Sequence, residues 1–257
     1  MKRWLIVWFF LLALAASGCS PTTPCGDDPA CLRVLFIGNS YTYVNDLPAT
    51  FAKLAQSGGQ RVETGMAASG GWSLSDHVKS AETLYQIKSS KWNFIVLQEQ
   101  SQIPASEQMR ARDVYPAARS LVSKIKASGA TPVFFVTWAH KDGWADIGLV
   151  TYESMQLQIN QGYVEIAEEL NAPVAPVGFA WLKLWEQNPQ LVLWQADGSH
   201  PNEKGTYLAA CVFYATLYRQ SPEGLGYTST LSNEDAQLLQ KIAADTVLKE
   251  PLRWNLP

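Results

Sequence analysis

The chain has 257 residues, a formal net charge of −3 and 47% hydrophobic residues. No basic run lies beyond the first three residues, so a nucleic-acid-binding function has no electrostatic support. Once the amino-terminal segment described next is set aside, about 225 residues remain, a length that fits one α/β domain better than two.

The first 18 residues have the composition of a secretory signal peptide. Lys2 and Arg3 precede thirteen apolar residues, Trp4 to Ala16, and the small residues Ser17 and Gly18 follow. A basic start, a short apolar stretch and a small-residue cleavage site are typical of such signals. A membrane-spanning helix would need roughly 20 apolar residues, so a permanent transmembrane segment is the weaker interpretation. We therefore predict that residues 1–18 direct export.

Cys19 stands at the predicted cleavage point. Ala16-Ser17-Gly18-Cys19 resembles a bacterial lipobox, in which the cysteine becomes the lipidated first residue. Ordinary signal cleavage with an incidental Cys19 is the alternative. The lipobox interpretation predicts a lipid anchor in the bacterial cell envelope. The residue after Cys19 is Ser20 and not Asp, so the lipobox interpretation predicts an outer-membrane location if the cell is Gram-negative.

Residues 19–31 are predicted to form a short tether from the lipidated Cys19, because they are rich in Pro, Thr and Asp. Cys25 and Cys31 flank a loop compact enough to be closed by a disulfide, and disulfides persist in exported proteins. Cys211 lies in an apolar helical pattern and is predicted to be a buried thiol. Residues 32–257 are predicted to be the folded domain.

The predicted elements alternate between strand and helix along the chain. In chain order they are strand Arg33–Ile37, helix Leu47–Gln56, strand Arg61–Met66, helix Leu74–Ile87, strand Phe94–Leu97, helix Glu107–Ala127, strand Pro132–Thr137, helix Tyr152–Leu170, strand Pro173–Val177, and helices Asn202–Arg219 and Asn233–Lys249. Such alternation predicts parallel strands with helices on both faces. The simplest topology is a flavodoxin-like three-layer α/β/α sandwich with a five-stranded parallel sheet.

Ligands of open α/β sheets bind outside the carboxyl ends of the strands. The segment after each predicted strand is therefore a candidate for the site. These segments are Gly38-Asn39-Ser40, Ala68-Ser69-Gly70-Gly71-Trp72, Gln98-Glu99-Gln100-Ser101, Trp138-Ala139-His140 and Gly178-Phe179.

Ser40 follows the first predicted strand. A serine is a weak nucleophile until a base removes its proton, so a histidine oriented by a carboxylate is required. His200 lies three residues after Asp197, and Pro201 disfavours helical backbone at His200, which places this pair on an extended loop. There the Asp197 carboxylate can reach one ring nitrogen of His200 and leave the other nitrogen as base. The alternative is that Asp197 is a turn residue and His200 an exposed loop residue.

These segments together resemble the SGNH (GDSL-type) hydrolase superfamily. Gly38-Asn39-Ser40 is similar to its first block, in which a serine follows the first strand, and Asp197-Gly198-Ser199-His200 is similar to its last block. Gly71-Trp72-Ser73-Leu74-Ser75-Asp76 looks like the second block, whose glycine donates a backbone N–H to the oxyanion. The resemblance covers Leu32 to about Arg219.

The resemblance implies a role for each matched residue. Ser40 is implied to be the nucleophile, His200 the general base and Asp197 the residue that orients the base. The backbone N–H groups of Ser40 and Gly71 are implied to form the oxyanion hole, with Gly70 as the alternative glycine. No cofactor is implied.

The third block departs from the Gly-x-Asn-Asp pattern of most of the superfamily, in which the asparagine side chain completes the oxyanion hole. Gln98-Glu99-Gln100-Ser101 looks more like the Gln-Gly-Glu block of carbohydrate acetylesterases, such as sialate O-acetylesterases and acetylxylan esterases. This resemblance implies Gln98 as the side-chain donor, since glutamine offers the same N–H₂ group from one methylene farther away. Gln100 is the alternative.

Four further side chains on or beside these loops are predicted to contact substrate: Trp72, Trp138, His140 and Trp194. Flat aromatic rings with a polar edge suit the faces of sugars. The alternative for the tryptophans is a place in the core, and the alternative for His140 is a solvated loop position.

Other chemistries have weaker support. Glu99 could serve a glycosidase, but no second carboxylate is placed to act with it. Gly70-Gly71 lacks the Lys-Ser/Thr pair of a phosphate-binding loop. His77, His140 and His200 lie on different segments without ligand spacing, so no metal is expected and His77 is predicted to be structural.

The sequence thus predicts an exported serine esterase that hydrolyses acyl esters, O-acetyl esters on carbohydrates in particular. One alternative is a lipase or thioesterase of the same fold. Another is a surface lipoprotein that binds glycans without turnover, if the altered third block forms no oxyanion hole. The predicted partners are an acylated carbohydrate or another small ester, and a membrane through the lipid anchor.

Overall fold

The computed structural model describes residues 25–256. Its centre is one sheet of five parallel strands in the order β2-β1-β3-β4-β5. The strands are β1 Leu32–Gly38, β2 Val62–Ala68, β3 Phe94–Leu97, β4 Thr131–Phe135 and β5 Val174–Ala175. The predicted α/β fold with a five-stranded parallel sheet is confirmed. The predicted signal peptide and Cys19 lie outside the described residues.

Helices cover both faces of this sheet. The α-helices of the described chain are α1 Ser40–Tyr43, α2 Leu47–Ser57, α3 Leu74–Lys79, α4 Ala81–Ser89, α5 Glu107–Met109, α6 Tyr115–Ala127, α7 Tyr152–Leu170, α8 Val177–Gln187, α9 Glu203–Tyr218 and α10 Asn233–Val247. Short 3₁₀ helices span Ile103–Ala105, Ala145–Ile147 and Pro251–Trp254, and a π-helical turn spans Arg110–Val114. Helices α2, α9 and α10 pack together, as do α3, α6 and α7. Right-handed crossovers place these two groups on opposite faces, which gives three layers.

The inner strands are apolar because both of their faces are covered. Residues 34–37 of β1 and 95–97 of β3 have no exposed surface. Such continuous apolar runs are typical of strands in parallel sheets, in contrast to the alternating pattern of half-exposed strands. The polar residues that follow these strands therefore emerge together at one edge of the sheet.

The predicted helix Leu74–Ile87 is two helices, α3 and α4. Ser80, between them, has extended backbone and caps α4 by accepting a hydrogen bond from Thr83 N. Serine favours such a capping position because its side chain replaces a missing backbone partner. The amphipathic pattern continues across the break, so the pattern alone does not show it.

Helix α8 begins where a loop was expected. The predicted strand Pro173–Val177 ends at Ala175, and Gly178 is helical. The backbone of Gly178 lies against the segment that follows β4: a Cβ there would be 2.2 Å from the Thr137 carbonyl oxygen. This glycine therefore permits close packing of a helix and does not mark a turn.

The first described residues are fastened to the amino-terminal edge of the sheet. A disulfide joins Cys25 to Cys31, the residue before β1, and Asp28 forms an ion pair with Arg61, the residue before β2. Cys211 is a buried free thiol in α9. Among residues 25–256 no helix is both long enough and apolar enough to cross a membrane.

Candidate active site

Ser40 lies at the carboxyl end of β1, where the strand turns directly into α1. Asn39 caps this helix, and its side-chain Oδ1 accepts a hydrogen bond from Tyr41 N at 3.1 Å. Ser40 is the first helical residue, a position whose N–H has no partner inside the helix. Its N–H donates to no acceptor in the described part of the chain, so it is free to bind a ligand.

His200 and Asp197 lie on the loop before α9, and the structure brings both to Ser40. His200 Nε2 is 2.9 Å from Ser40 Oγ, and His200 Nδ1 is 2.6 Å from Asp197 Oδ2. Asp197 Oδ1 also accepts hydrogen bonds from His200 N at 3.0 Å and Ser199 N at 2.9 Å. A carboxylate can only accept, so the ring proton of neutral His200 lies on Nδ1 and Nε2 is the acceptor for the Ser40 hydroxyl.

Asp197 remains ionised at neutral pH. Burial raises its pKa, but the hydrogen bonds from the His200 side chain and from the Ser199 and His200 backbone outweigh this effect and hold the pKa below its usual value. Hydrogen bonds to the charged form favour that form. The carboxylate can therefore stabilise the imidazolium that forms when His200 accepts a proton.

A stack of three aromatic rings supports the His200 loop. The centroid of Tyr41 lies 4.6 Å from that of Trp138, and Trp138 lies 4.2 Å from Trp181, with near-parallel planes in both pairs. The His200 ring meets Tyr41 edge-on at 5.8 Å, and Trp138 Nε1 donates to Ser199 O at 2.9 Å. These contacts fix the loop against α1.

The prediction that Trp138 and Trp194 contact substrate is wrong. Trp138 has no exposed surface, and Trp194 is 4% exposed. Trp194 Nε1 donates to Ala139 O at 3.0 Å, and its ring packs edge-on against Trp181 at 5.1 Å. Both indoles can be buried because each N–H has a backbone carbonyl to bind. Trp72 is half-buried and stays a predicted substrate contact.

Gly70 and Gly71 follow β2 and line the same cleft as Ser40. Gly71 has a φ of +72°, in the left-handed region that residues with a Cβ rarely adopt. Its N–H donates to no acceptor among residues 25–256. The loop therefore brings a second unpaired backbone N–H to the cleft, besides that of Ser40.

The prediction that the Gln98 side chain faces the oxyanion is wrong, because this side chain has no exposed surface. Its Oε1 accepts hydrogen bonds from Asn39 N at 2.7 Å and Thr42 Oγ1 at 2.9 Å. Its Nε2 donates to Asn39 Oδ1 at 2.9 Å and Glu99 O at 2.5 Å. Both amide hydrogens are therefore used beneath the turn before Ser40. Gly38 makes the space: a Cβ there would be 2.2 Å from Gln98 Oε1.

Gln100, the alternative amide, does line the cleft. Its Oε1 accepts hydrogen bonds from Gln102 N at 2.8 Å and Ile103 N at 3.2 Å. Its Nε2 donates to Ser101 Oγ at 3.2 Å, and its second hydrogen has no acceptor within the described chain. Of the two glutamines in this segment, Gln100 is thus the one that a ligand in the cleft can reach.

Glu99 holds two loops of the site together. Its fully buried carboxylate accepts hydrogen bonds from Gln100 N at 2.6 Å and from Leu74 N at 3.2 Å. Leu74 begins α3 directly after the Gly71 loop. Burial raises the pKa of Glu99 to about 7, although the two backbone N–H groups act in the opposite direction.

Replacing Glu99 with glutamine is expected to flatten the pH dependence of stability. The folded-state pKa of about 7 exceeds the ordinary value of 4.5. The carboxyl therefore stabilises the fold fully below pH 4.5 and loses that contribution as the pH rises through 7. Over this pH interval the free energy of unfolding should fall by about 3 kcal/mol more in the wild type than in Glu99→Gln. Urea unfolding of both proteins at pH 4.5, 6 and 8 measures this, and parallel pH profiles would contradict it.

The cleft has a volume of about 430 Å³. Its lining residues are Asn39, Ser40, Tyr41, Tyr43, Gly70, Gly71, Gln100, Ser101, Gln102, His140, Ser199 and His200. None of them is Lys, Arg, Asp or Glu, and none has an aliphatic side chain. The cleft therefore suits a neutral ligand that forms hydrogen bonds.

Sequence reasoning assigned no role to six residues of this lining, which are Asn39, Tyr41, Tyr43, Ser101, Gln102 and Ser199. Tyr41 OH lies 2.8 Å from Ser199 Oγ, and Ser101 Oγ lies 3.1 Å from His140 Nε2. A signal was available, since Tyr41 and Ser199 are direct neighbours of Ser40 and His200, and Ser101 lies on a predicted site segment.

The remaining histidine, His77, is buried below the cleft. Its Nε2 donates to Gly38 O at 2.8 Å, and its Nδ1 lies 2.9 Å from Thr83 Oγ1. Burial lowers its pKa, so the ring is neutral. Within residues 25–256 no group of three or more His, Cys, Asp or Glu residues is placed to hold a metal ion.

A parallel α/β sandwich with a hydrogen-bonded serine, histidine and aspartate at the carboxyl edge of its sheet is the arrangement of a serine hydrolase. Among solved structures, a candidate SGNH hydrolase from Slackia heliotrinireducens is 30% identical to this chain. The match has a TM-score of 0.62 and covers 73% of this chain and 99% of that one. The chain therefore belongs to the SGNH hydrolase family of serine ester hydrolases.

Two further structures share the fold at lower identity. A DUF4886 family protein from Bacteroides uniformis is 18% identical, with a TM-score of 0.73 over 85% of this chain and 95% of its own. A catalytic mutant of Axe2, an acetylxylan esterase from Geobacillus stearothermophilus, is 15% identical, with a TM-score of 0.53 over 72% of this chain and 94% of its own. No protein-family model and no curated protein matched the chain.

Proposed function

We propose that the protein is an exported esterase that removes short acyl groups, acetyl in particular, from carbohydrates. Ser40, His200 and Asp197 form its catalytic triad. One observation carries the proposal: hydrogen bonds run without a break from Ser40 Oγ through the His200 ring to Asp197. Ser40 and His200 line a cleft whose other lining residues are also uncharged and mostly polar.

The reaction proceeds by two acyl transfers. Ser40 Oγ attacks the ester carbonyl carbon while His200 Nε2 accepts the hydroxyl proton. The bond to the alcohol oxygen then breaks, and His200 returns the proton to that oxygen. Water attacks the acyl-Ser40 ester with His200 again as base, which releases the acid and restores the serine hydroxyl.

The oxyanion of each tetrahedral intermediate binds to the backbone N–H groups of Ser40 and Gly71. Gln100 Nε2 supplies the third donor, because Gln98 is buried and its amide hydrogens are taken. One such donor typically lowers the barrier by about 3–4 kcal/mol. The amide of Gln100 is oriented beforehand by the two backbone bonds to its Oε1.

The chemistry of the cleft favours a small acyl group on a polar alcohol. A long acyl chain would need aliphatic side chains to cover it, and the lining has none. A sugar would instead find hydroxyl, amide and imidazole partners. The acetylxylan esterase of the same fold is an example of that substrate class.

A series of p-nitrophenyl esters tests the acyl preference. We expect kcat/KM to be highest for the acetate and at least about 10-fold lower for the octanoate, since a pocket without apolar walls gains nothing from added methylenes. Ser40→Ala is the control for non-enzymatic turnover. Activity that rises with chain length would support a lipase or thioesterase instead, and equal rates in both proteins would leave only glycan binding.

Export and lipidation at Cys19 are the final part of the proposal. They are supported by the sequence of residues 1–19 alone. Metabolic labelling with an alkyne palmitate tests them, with Cys19→Ser as the control. Label that persists in Cys19→Ser, or a wild type without label, would contradict the anchor.

A further inference from the structure

His140 lies on the same cleft as the proposed triad, on a loop that backbone contacts hold in place. Lys141 N donates to Gly198 O at 2.8 Å, which joins this loop to the Asp197–His200 loop. On the other side of His140, Ala139 O accepts the hydrogen bond from Trp194 Nε1 at 3.0 Å. The position of His140 relative to His200 is therefore fixed from both sides.

The His140 ring is oriented by Ser101 on the opposite segment. His140 Nε2 lies 3.1 Å from Ser101 Oγ, and the same hydroxyl accepts a hydrogen bond from Gln100 Nε2 at 3.2 Å. Ser101 is only 7% exposed, and the Tyr41 hydroxyl is a further hydrogen-bonding neighbour of its side chain, so the Ser101 hydroxyl is held in place. His140 Nδ1 has no partner within residues 25–256. One wall of the cleft thus presents an ordered hydroxyl and an imidazole with one unpaired nitrogen.

The charge state of His140 limits what this wall can bind. Burial lowers its pKa; the nearby Asp197 raises it and His200 lowers it further, with a net decrease. A neutral imidazole has one donor and one acceptor, which matches a hydroxyl group better than an anion. The rest of the lining is also uncharged, so a neutral alcohol is the best-matched ligand.

We propose that Ser101 and His140 bind a free hydroxyl on the alcohol part of the ester, and thereby select partly acylated polyols. The proposal rests on the esterase function proposed above. An ester without such a hydroxyl would displace water from His140 Nδ1 and leave that nitrogen unpaired, which costs binding. The same contact would hold the ester carbonyl in place over Ser40 Oγ. The two residues position the substrate and exchange no proton with it.

Two esters that differ only in the neighbouring hydroxyl test this selectivity: 2-hydroxycyclohexyl acetate and cyclohexyl acetate. Each kcat/KM is divided by the rate of hydroxide hydrolysis of that ester, which removes the intrinsic effect of the hydroxyl. The wild type is expected to prefer the hydroxy ester roughly 10- to 100-fold. His140→Leu and Ser101→Ala should bring this ratio close to 1.

His140→Asn is the conservative variant, because its amide keeps a donor close to the position of Nδ1, and it should retain part of the preference. Lys141→Ala, an exposed neighbour, is the matched control and should keep the full ratio. A wild-type ratio near 1, or a ratio that is unchanged in both His140→Leu and Ser101→Ala, would overturn this inference and leave the esterase function standing. A wild type that hydrolyses p-nitrophenyl acetate but neither cyclohexyl ester would overturn this inference alone, and one that hydrolyses none of the three would overturn the esterase function as well.

Discussion

Replacing Ser40 with alanine is expected to lower kcat for acetyl ester hydrolysis by roughly 10⁴- to 10⁶-fold. The substitution removes the oxygen that lies 2.9 Å from His200 Nε2, and with it the acyl-enzyme route. The oxyanion donors stay in place and account for the residual rate above that in water. Initial rates with p-nitrophenyl acetate at saturating substrate measure the effect.

Ser40→Ala should leave stability nearly unchanged, because the Ser40 side chain contributes only its hydrogen bond to His200. Ser89→Ala is a matched control, since Ser89 is an exposed helical serine whose hydroxyl donates to Gln86 O. It should keep wild-type activity. A Ser40→Ala protein that is folded and within tenfold of wild-type kcat would exclude the proposed triad.

Replacing Gln98 with leucine is expected to lower the free energy of unfolding by about 3–5 kcal/mol. The change keeps the volume but removes all four hydrogen bonds of the amide, two of them to Asn39 and one to Thr42. Asn39 N, Thr42 Oγ1 and Glu99 O are left buried without a partner, which is the costly case, while Asn39 Oδ1 keeps its hydrogen bond from Tyr41 N. Urea unfolding at neutral pH measures the loss.

Gln100→Ala gives the contrasting result that separates the two glutamines. Its free energy of unfolding should change by no more than about 1 kcal/mol, whereas its kcat should fall roughly 100-fold or more. Both variants are assayed under conditions where each is fully folded. A stable Gln98→Leu protein with a 100-fold loss of kcat, beside an active Gln100→Ala, would return the oxyanion role to Gln98.

The positions of Ser40, Asp197 and His200 could be predicted from the sequence because they depend on local chemistry. The apolar run before Gly38 predicts a buried strand, and parallel strands carry their ligands at the carboxyl ends. Ser40 comes shortly after this strand, so its place at the ligand-binding edge of the sheet could be predicted. Asp197 and His200 lie three residues apart, so their contact within one loop could be judged without knowing the rest of the fold.

The parts that the sequence did not predict depend on packing between distant segments. Gln98 and Gln100 have the same chemistry, and Gln98 turns inward because Gly38, on the neighbouring strand, leaves room for its amide. The burial of Trp138 likewise depends on Trp181, a residue of the unpredicted helix α8. A single sequence contains no local pattern for such contacts.

We propose that Ser40 is the nucleophile and that His200 activates it. Reaction of the purified protein with a fluorophosphonate, followed by mass spectrometry of its peptides, tests this most directly. We expect a single phosphonyl group on Ser40, no label in Ser40→Ala, and labelling slowed by several orders of magnitude in His200→Ala. A label on Ser101, which lies next to His140, or undiminished labelling of Ser40→Ala would contradict the claim.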